Sequence, residues 1–257
     1  MARVVPVAFG RAAGAAAAGM VLVAGCSAAT NLAEAADPSL GGRSHLSDKD
    51  LRQEITEAVG GVHSVRATVD LRNSGVEAHG DVYLDLDTNN FRSVVDSPGL
   101  TLETINVGAD VYVKAPRSYW WKVFGTDKAE LVASLDGKYA HMAPDDPARS
   151  QMLSMGSSAN PRTLVDVMKD TDRRPEGVID GRRMIVLVER TANMPAVIYV
   201  PVEGPALPAG ISAEASNGGS DSIGMTWSEY DRPVDVRAPA KDFVVDLPNT
   251  GGKAHGV

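Results

Sequence analysis

The sequence predicts an α+β domain: an antiparallel sheet with one face in solvent and helices over the other. Three observations lead there. Two long stretches alternate apolar and polar residues with a period of two and are cut by Gly, Pro, Asn and Asp turns. A stretch of helical spacing separates them, and no linker long enough to split the 257 residues into two bodies is found. Hydrophobic residues at 44% and charged residues at 23% are ordinary for a globular chain and exclude a mainly disordered or collagen-like one. The formal charge of −8, with Lys and Arg scattered, lacks the basic footprint of a nucleic-acid binder.

The elements follow in chain order. Arg3 and Arg11, with no acid, precede a small and apolar run from Ala12 to Gly25, the layout of an export signal. That run is shorter than the roughly 20 residues a membrane span needs. Residues 26–44 are small, polar and punctuated by Gly and Pro, which reads as a tether. Ser47 is placed to cap a helix with Asp48 and Asp50 in its first turn. Leu51, Ile55, Ala58 and Val59 share one face of it before Gly60-Gly61.

From Val65 the period becomes two. Val65, Ala67, Val69 and Leu71 form one strand face, and Val76, Ala78, Gly80, Val82, Leu84 and Leu86 form the next. Shorter strands are predicted at 91–96, 102–107 and 111–115, completing a five-strand meander. Helical spacing returns at 127–135 and 161–169, the latter capped by Asn160 with Pro161 in its first turn, and a short helix is expected between Asp145 and Met155. Strand signals resume at 178–180, 184–189, 197–200, 211–214, 223–230 and 234–237.

A single cysteine, Cys26, excludes an internal disulfide framework and a cysteine-rich metal site. Leu22-Val23-Ala24-Gly25-Cys26 resembles the bacterial lipoprotein signal, in which the thiol takes a diacylglycerol and cleavage leaves the modified cysteine first. Losing residues 1–25 removes two arginines and no acid, taking the charge from −8 to −10. Two acyl chains hold a protein stably at a membrane where one is marginal.

Three segments together resemble the LppX/LprAFG lipoproteins of actinobacteria. They are the Cys26 signal, Asn106 to Pro116 with Trp120-Trp121 shortly after, and Trp227 to Pro239. The resemblance covers most of residues 45–247 and implies a fold similar to the carriers LolA and LolB. That fold is a strongly curved antiparallel half-barrel whose concave face is covered by helices. It further implies residues 1–25 as signal peptide, 26–44 as acylated cysteine and tether, and 45–257 as one lipid-binding domain. The expected partners are a lipid or glycolipid and the membrane, with an envelope exporter as a further candidate. The expected location is the outer face of the cell membrane. Pro201 to Gly210 departs from the family's pattern in its proline content, leaving the local strand pairing open.

Hiding acyl chains from water takes an enclosed apolar volume, at roughly 25 cal/mol per Å² of surface. The candidate lining residues are Ala67, Val69, Val82, Leu84, Val111, Val113, Trp120, Leu131, Leu164 and Met168. Mostly small or β-branched sheet residues would leave room beneath a curved sheet; equally, they could meet the helices and fill the core at normal density. Of Trp120 and Trp121, at a strand end or loop, one is expected buried and one half-exposed. Met142, Met152, Met155 and Met168 suit either an adaptable binding surface or plain core contacts.

Other motifs are weaker. Asp85-Leu86-Asp87-Thr88-Asn89 starts like a calcium loop, but Asn90 replaces the glycine and Asp96 the glutamate that such a loop uses. The five histidines form no His-x-x-x-His pair, and no Gly-x-Ser-x-Gly elbow, phosphate loop or dinucleotide fingerprint occurs. No metal or cofactor and no enzymatic activity are expected. The expected function is sequestration of acyl chains for transport or envelope assembly; the alternative is a tethered interaction or sensor module with a filled core.

Overall fold

The computed structural model describes residues 42–73, 75–146, 148–189, 195–214 and 221–247. Cys26, the signal segment and most of the tether lie outside them.

Helix α1 (Asp48–Gly60) begins at Ser47, whose hydroxyl accepts the Asp50 amide at 3.2 Å, and buries Leu51, Ile55 and Val59. The first meander follows as β1 (Ser64–Asn73), β2 (Val76–Asp85), β3 (Phe91–Ser97), β4 (Leu100–Val107) and β5 (Asp110–Lys114). Next come α2 (Arg117–Phe124), α3 (Ala129–Ser134), β6 (Tyr139–Met142), α4 (Arg149–Ser158) and α5 (Leu164–Val167), the last flanked by single 3₁₀ turns. The second meander is β7 (Thr171–Ile179), β8 (Arg182–Glu189), β9 (Val197–Pro201), β10 (Gly210–Glu214) and β11 (Ser222–Ser228), and β12 (Val244–Asp246) closes the described chain.

Among the described residues, twelve strands make one sheet in the order β12-β6-β5-β4-β3-β2-β1-β11-β10-β9-β8-β7. The two meanders join where β1 pairs antiparallel with β11, Ala67 opposite Trp227. The β12–β6 pair is parallel. One contiguous apolar cluster draws inward side chains from seven adjacent strands, from Phe91 on β3 to Leu187 on β8, around α1 and α5. Seven strands laid flat would span about 29 Å, while a helix is only about 10–12 Å across. The sheet therefore curls around its helices as an open half-barrel, with β12 and β7 at its free edges.

The opposite face is charged. Arg66 bridges Asp81 and Glu229, each at 3.0 Å, and Arg92 meets Glu103 at 2.7 Å.

Several elements depart from the sequence expectations. Residues 234–237 are not a strand: they run between Pro233 and Pro239 with no ladder partner, and the last strand lies seven residues further on, at Val244–Asp246. β6 and most of β7 have no counterpart in the alternation. Trp120 and Trp121 sit on a helix, not at a strand end; one is buried at 4% and the other is half-buried, as expected of the pair. The Pro201–Gly210 stretch connects β9 to β10, and Gly210 pairs with Tyr199.

Candidate functional site

The helix-covered face of the sheet carries the predicted lining residues, and they fall into two groups. Ala67, Val82, Leu84, Leu164 and Met168, all at most 3% exposed, belong to the large cluster around α1, and Val69 packs half-buried against it. Val111, Val113 and Trp120 belong to a second cluster beneath α2 and α3, with Leu131 half-buried at its margin. Leu153 of α4 packs against both clusters. These residues pack against the helices, and none lines either of two clefts described at the surface.

Strand parity explains the sharing of one face. Val82 pairs with Ser93, Ser93 with Thr104 and Thr104 with Val113, so one row of inward side chains crosses β2 to β5. The neighbouring row runs Leu84, Phe91, Asn106, Val111, Met142. Alternation along each strand puts both rows on the same side.

The covering helices are held at a few points. Trp227 of β11 donates its indole N–H to the Ala159 carbonyl at 2.8 Å, tying the end of α4 to the sheet. Asn160 caps the turn at Pro161 by accepting the Arg162 amide at 2.9 Å. Arg162 then reaches the carbonyls of Leu86 and Val62, at 2.8 and 2.6 Å, joining the α1 exit to the β2 end. The start of α4 has no side-chain cap.

The four residues Ser93, Thr104, Asn106 and Leu153 were not among the sequence candidates. The first three were legible in principle, since inward parity on β3 and β4 selects them; their polarity hid them from an apolar search.

One surface cleft, of about 230 Å³, lies on the charged face between Arg66, Tyr83, Arg92, Glu229 and Arg232. The other, about 410 Å³, opens beside Gly42, Arg43, Leu46, Glu54 and Val202, where the chain enters the domain. The Asp85 loop is a turn: its carboxylate accepts the amides of Asp87 and Thr88 at 2.9 and 3.1 Å. His141 lies between Asp246 at 2.8 Å and Asp110 at 3.0 Å, stacked on Tyr112. Burial pulls its pKa down, but hydrogen bonds to Asp246 and Asp110 more than offset this and leave it raised.

No family model matches the chain, and no curated protein matches it in sequence. Solved structures similar to it include LprF from Mycobacterium bovis, at 14% identity and a TM-score of 0.48 over 80% of this chain and 100% of that one. An uncharacterized conserved protein from Thermus thermophilus is 14% identical, with a TM-score of 0.44 over 77% of this chain and 98% of the other. A LolA superfamily protein from Nitrosomonas europaea is 11% identical, with a TM-score of 0.30 over 74% and 96% of the two chains.

Proposed function

We propose that this protein is an extracytoplasmic lipoprotein, anchored through acylated Cys26, that binds lipid or lipoglycan acyl chains between the sheet and its helices for transport or envelope assembly. The supporting observation is the construction of the concave face. Two apolar clusters meet at Leu153, and apart from the thirteen-residue α1 the helices covering them have only four to ten residues. Short helices draw most of their stability from packing, so they can part from the sheet only where a ligand replaces the apolar contacts they give up. In this reading the chains enter as α4 and its neighbours move outward, and Val82, Leu84, Val111 and Val113 exchange helix contacts for ligand contacts. The mechanism is sequestration, and no bond of the ligand is broken.

A second reading, a tethered interaction module enclosing nothing, is favoured by one observation: Ala67, Val82, Val111 and Met168 are at most 1% exposed against their own helices. One experiment separates the two. Residues 27–257 are produced without the signal segment and extracted with organic solvent. Co-purified acyl lipid is the expected result; a lipid-free extract from material that also fails to bind added lipid favours the interaction module.

A further inference from the structure

Three buried polar side chains interrupt the apolar inner face on β3 and β4. Ser93 and Thr104 are fully buried and Asn106 is 5% exposed. They are neighbours by register: Ser93 pairs with Thr104 across β3 and β4, and Asn106 lies two residues beyond Thr104 on the same face. Apolar side chains flank them, Val82 beside Ser93, Val113 beside Thr104 and Val111 beside Asn106. α4 lies over the strip through Met152.

The strip's hydrogen-bonding capacity is largely unused. The Thr104 hydroxyl meets only the Met152 sulfur, at 3.9 Å, and a thioether is a weak acceptor. Asn106 donates its Nδ2 to the Asn89 carbonyl at 3.0 Å, which leaves its Oδ1 as an acceptor. Ser93 Oγ and Asn106 Oδ1 have no hydrogen-bond partner among the described residues. Buried polar groups are ordinarily paired, and each exception calls for a reason. A face built for stability alone would carry Ala, Val and Leu at these positions.

We propose that Ser93, Thr104 and Asn106 form a recognition strip for the polar linkage of an acyl lipid, an ester carbonyl with an adjoining hydroxyl. The inference rests on the lipid-binding reading above and adds the ligand's chemical class. The Ser93 and Thr104 hydroxyls donate to the carbonyl oxygen, and Asn106 Oδ1 accepts from the ligand's hydroxyl. The valines on either side take the chain. Displacing α4 costs the strip's own hydrogen bonding only the weak thioether contact. Such a strip separates acyl lipids from bare hydrocarbon, which apolar walls alone cannot do.

The test uses the full chain carrying Cys26→Ser, so that no acyl group of its own competes. It is titrated with monooleoylglycerol and with octadecene, each read by displacement of an apolar fluorescent dye. Monooleoylglycerol is expected to bind more tightly, by about fivefold for each hydrogen bond made. Ser93→Ala and Thr104→Val should each cut that preference about fivefold, leave octadecene binding unchanged and keep or raise the thermal midpoint. Thr104→Ser should retain the preference, and Ser93→Ala stands alone if the valine variant misfolds. Equal binding of the two probes, or a preference surviving the apolar substitutions, overturns the strip while leaving acyl binding intact. Binding of neither probe overturns both.

Discussion

Gly156 of α4 lies directly against the Phe91 ring of β3, so closely that a Cβ at position 156 would overlap Phe91 Cδ1 and Cε1. A glycine in a helix interior costs about 1 kcal/mol relative to alanine, so this one is not there for helix propensity. It lets the helix sit down on the sheet. Gly156→Ala is therefore expected to destabilise the protein by about 1–2 kcal/mol, overpacking outweighing the propensity gain. Combined with Phe91→Leu, which opens space at the ring edge, the loss should shrink. Thermal unfolding of the single and double variants reads the coupling; additive losses would show that the two residues do not press on one another.

Arg43 fixes the point where the chain enters the domain. Its guanidinium, 9% exposed as a residue, donates to Glu54 at 2.7 Å and to the carbonyls of Pro201, Val202 and Gly204 at 3.2, 3.3 and 2.5 Å. Gly42 beside it has φ +100° and leaves no room for a Cβ against the Val202 carbonyl. Arg43→Ala removes the side-chain partner of the buried Pro201 and Val202 carbonyls and the ion pair to Glu54, at about 1–3 kcal/mol. Arg43→Lys should not restore the loss, because an ammonium cannot reproduce the planar fork that reaches several acceptors. Denaturant unfolding of both variants checks this; full rescue by lysine would reduce the interaction to charge.

His141 ties the edge strand β12 to the sheet, since Asp246 belongs to β12 and Asp110 to β5. Both carboxylates favour the imidazolium, so the folded pKa lies above the ordinary 6.5. A raised folded pKa contributes stability that is fully present below the unfolded value and is lost as pH rises through the folded one. His63 beside Asp87 is shifted in the same direction by its hydrogen bond. Amide exchange at Val244–Asp246 is expected to speed up as pH climbs past that window, after correction for intrinsic exchange. His141→Gln should flatten the β12 response, while His63→Gln should leave it in place. A β12 response surviving His141→Gln would mean that another group controls the strand.

The parts of the fold that local pattern could reveal are those with a strong period or a strong cap. β1 and β2 alternate over ten residues each, and α1 has Ser47 at one end and a glycine pair at the other. β7 is masked by its own sequence, with Pro175 and charged residues breaking the alternation so that only 178–180 gives a strand signal; the strand lies at the sheet edge and carries a bulge between Arg174 and Gly177, where a missing amide is tolerated. β12 has three residues and owes its conformation to parallel pairing with β6, a contact about 100 residues away that no window along the chain can sense. The candidate site was legible as a face and not as a mechanism. Alternation selected Ala67, Val82, Leu84, Val111 and Val113, all of which point inward, but whether side chains or a ligand fill that space depends on the helices. Ser93, Thr104 and Asn106 escaped because their meaning depends on what surrounds them.

Cys26 precedes the described residues. If the thiol carries a diacylglycerol, the small residues Ala24 and Gly25 fit the processing enzyme and the covalent lipid supplies an anchor; among the described residues no helix is long and apolar enough to cross a membrane. Two acyl chains, at about 0.8 kcal/mol per buried methylene, hold a domain firmly at a bilayer. Cys26→Ser should then either release the protein from the membrane fraction or leave it unprocessed at its longer length. Fractionation with an immunoblot for size distinguishes these from the wild type. Unchanged membrane retention of a fully shortened chain would place the anchor elsewhere, and the proposed carrier would then have to be held at the envelope by the folded domain itself.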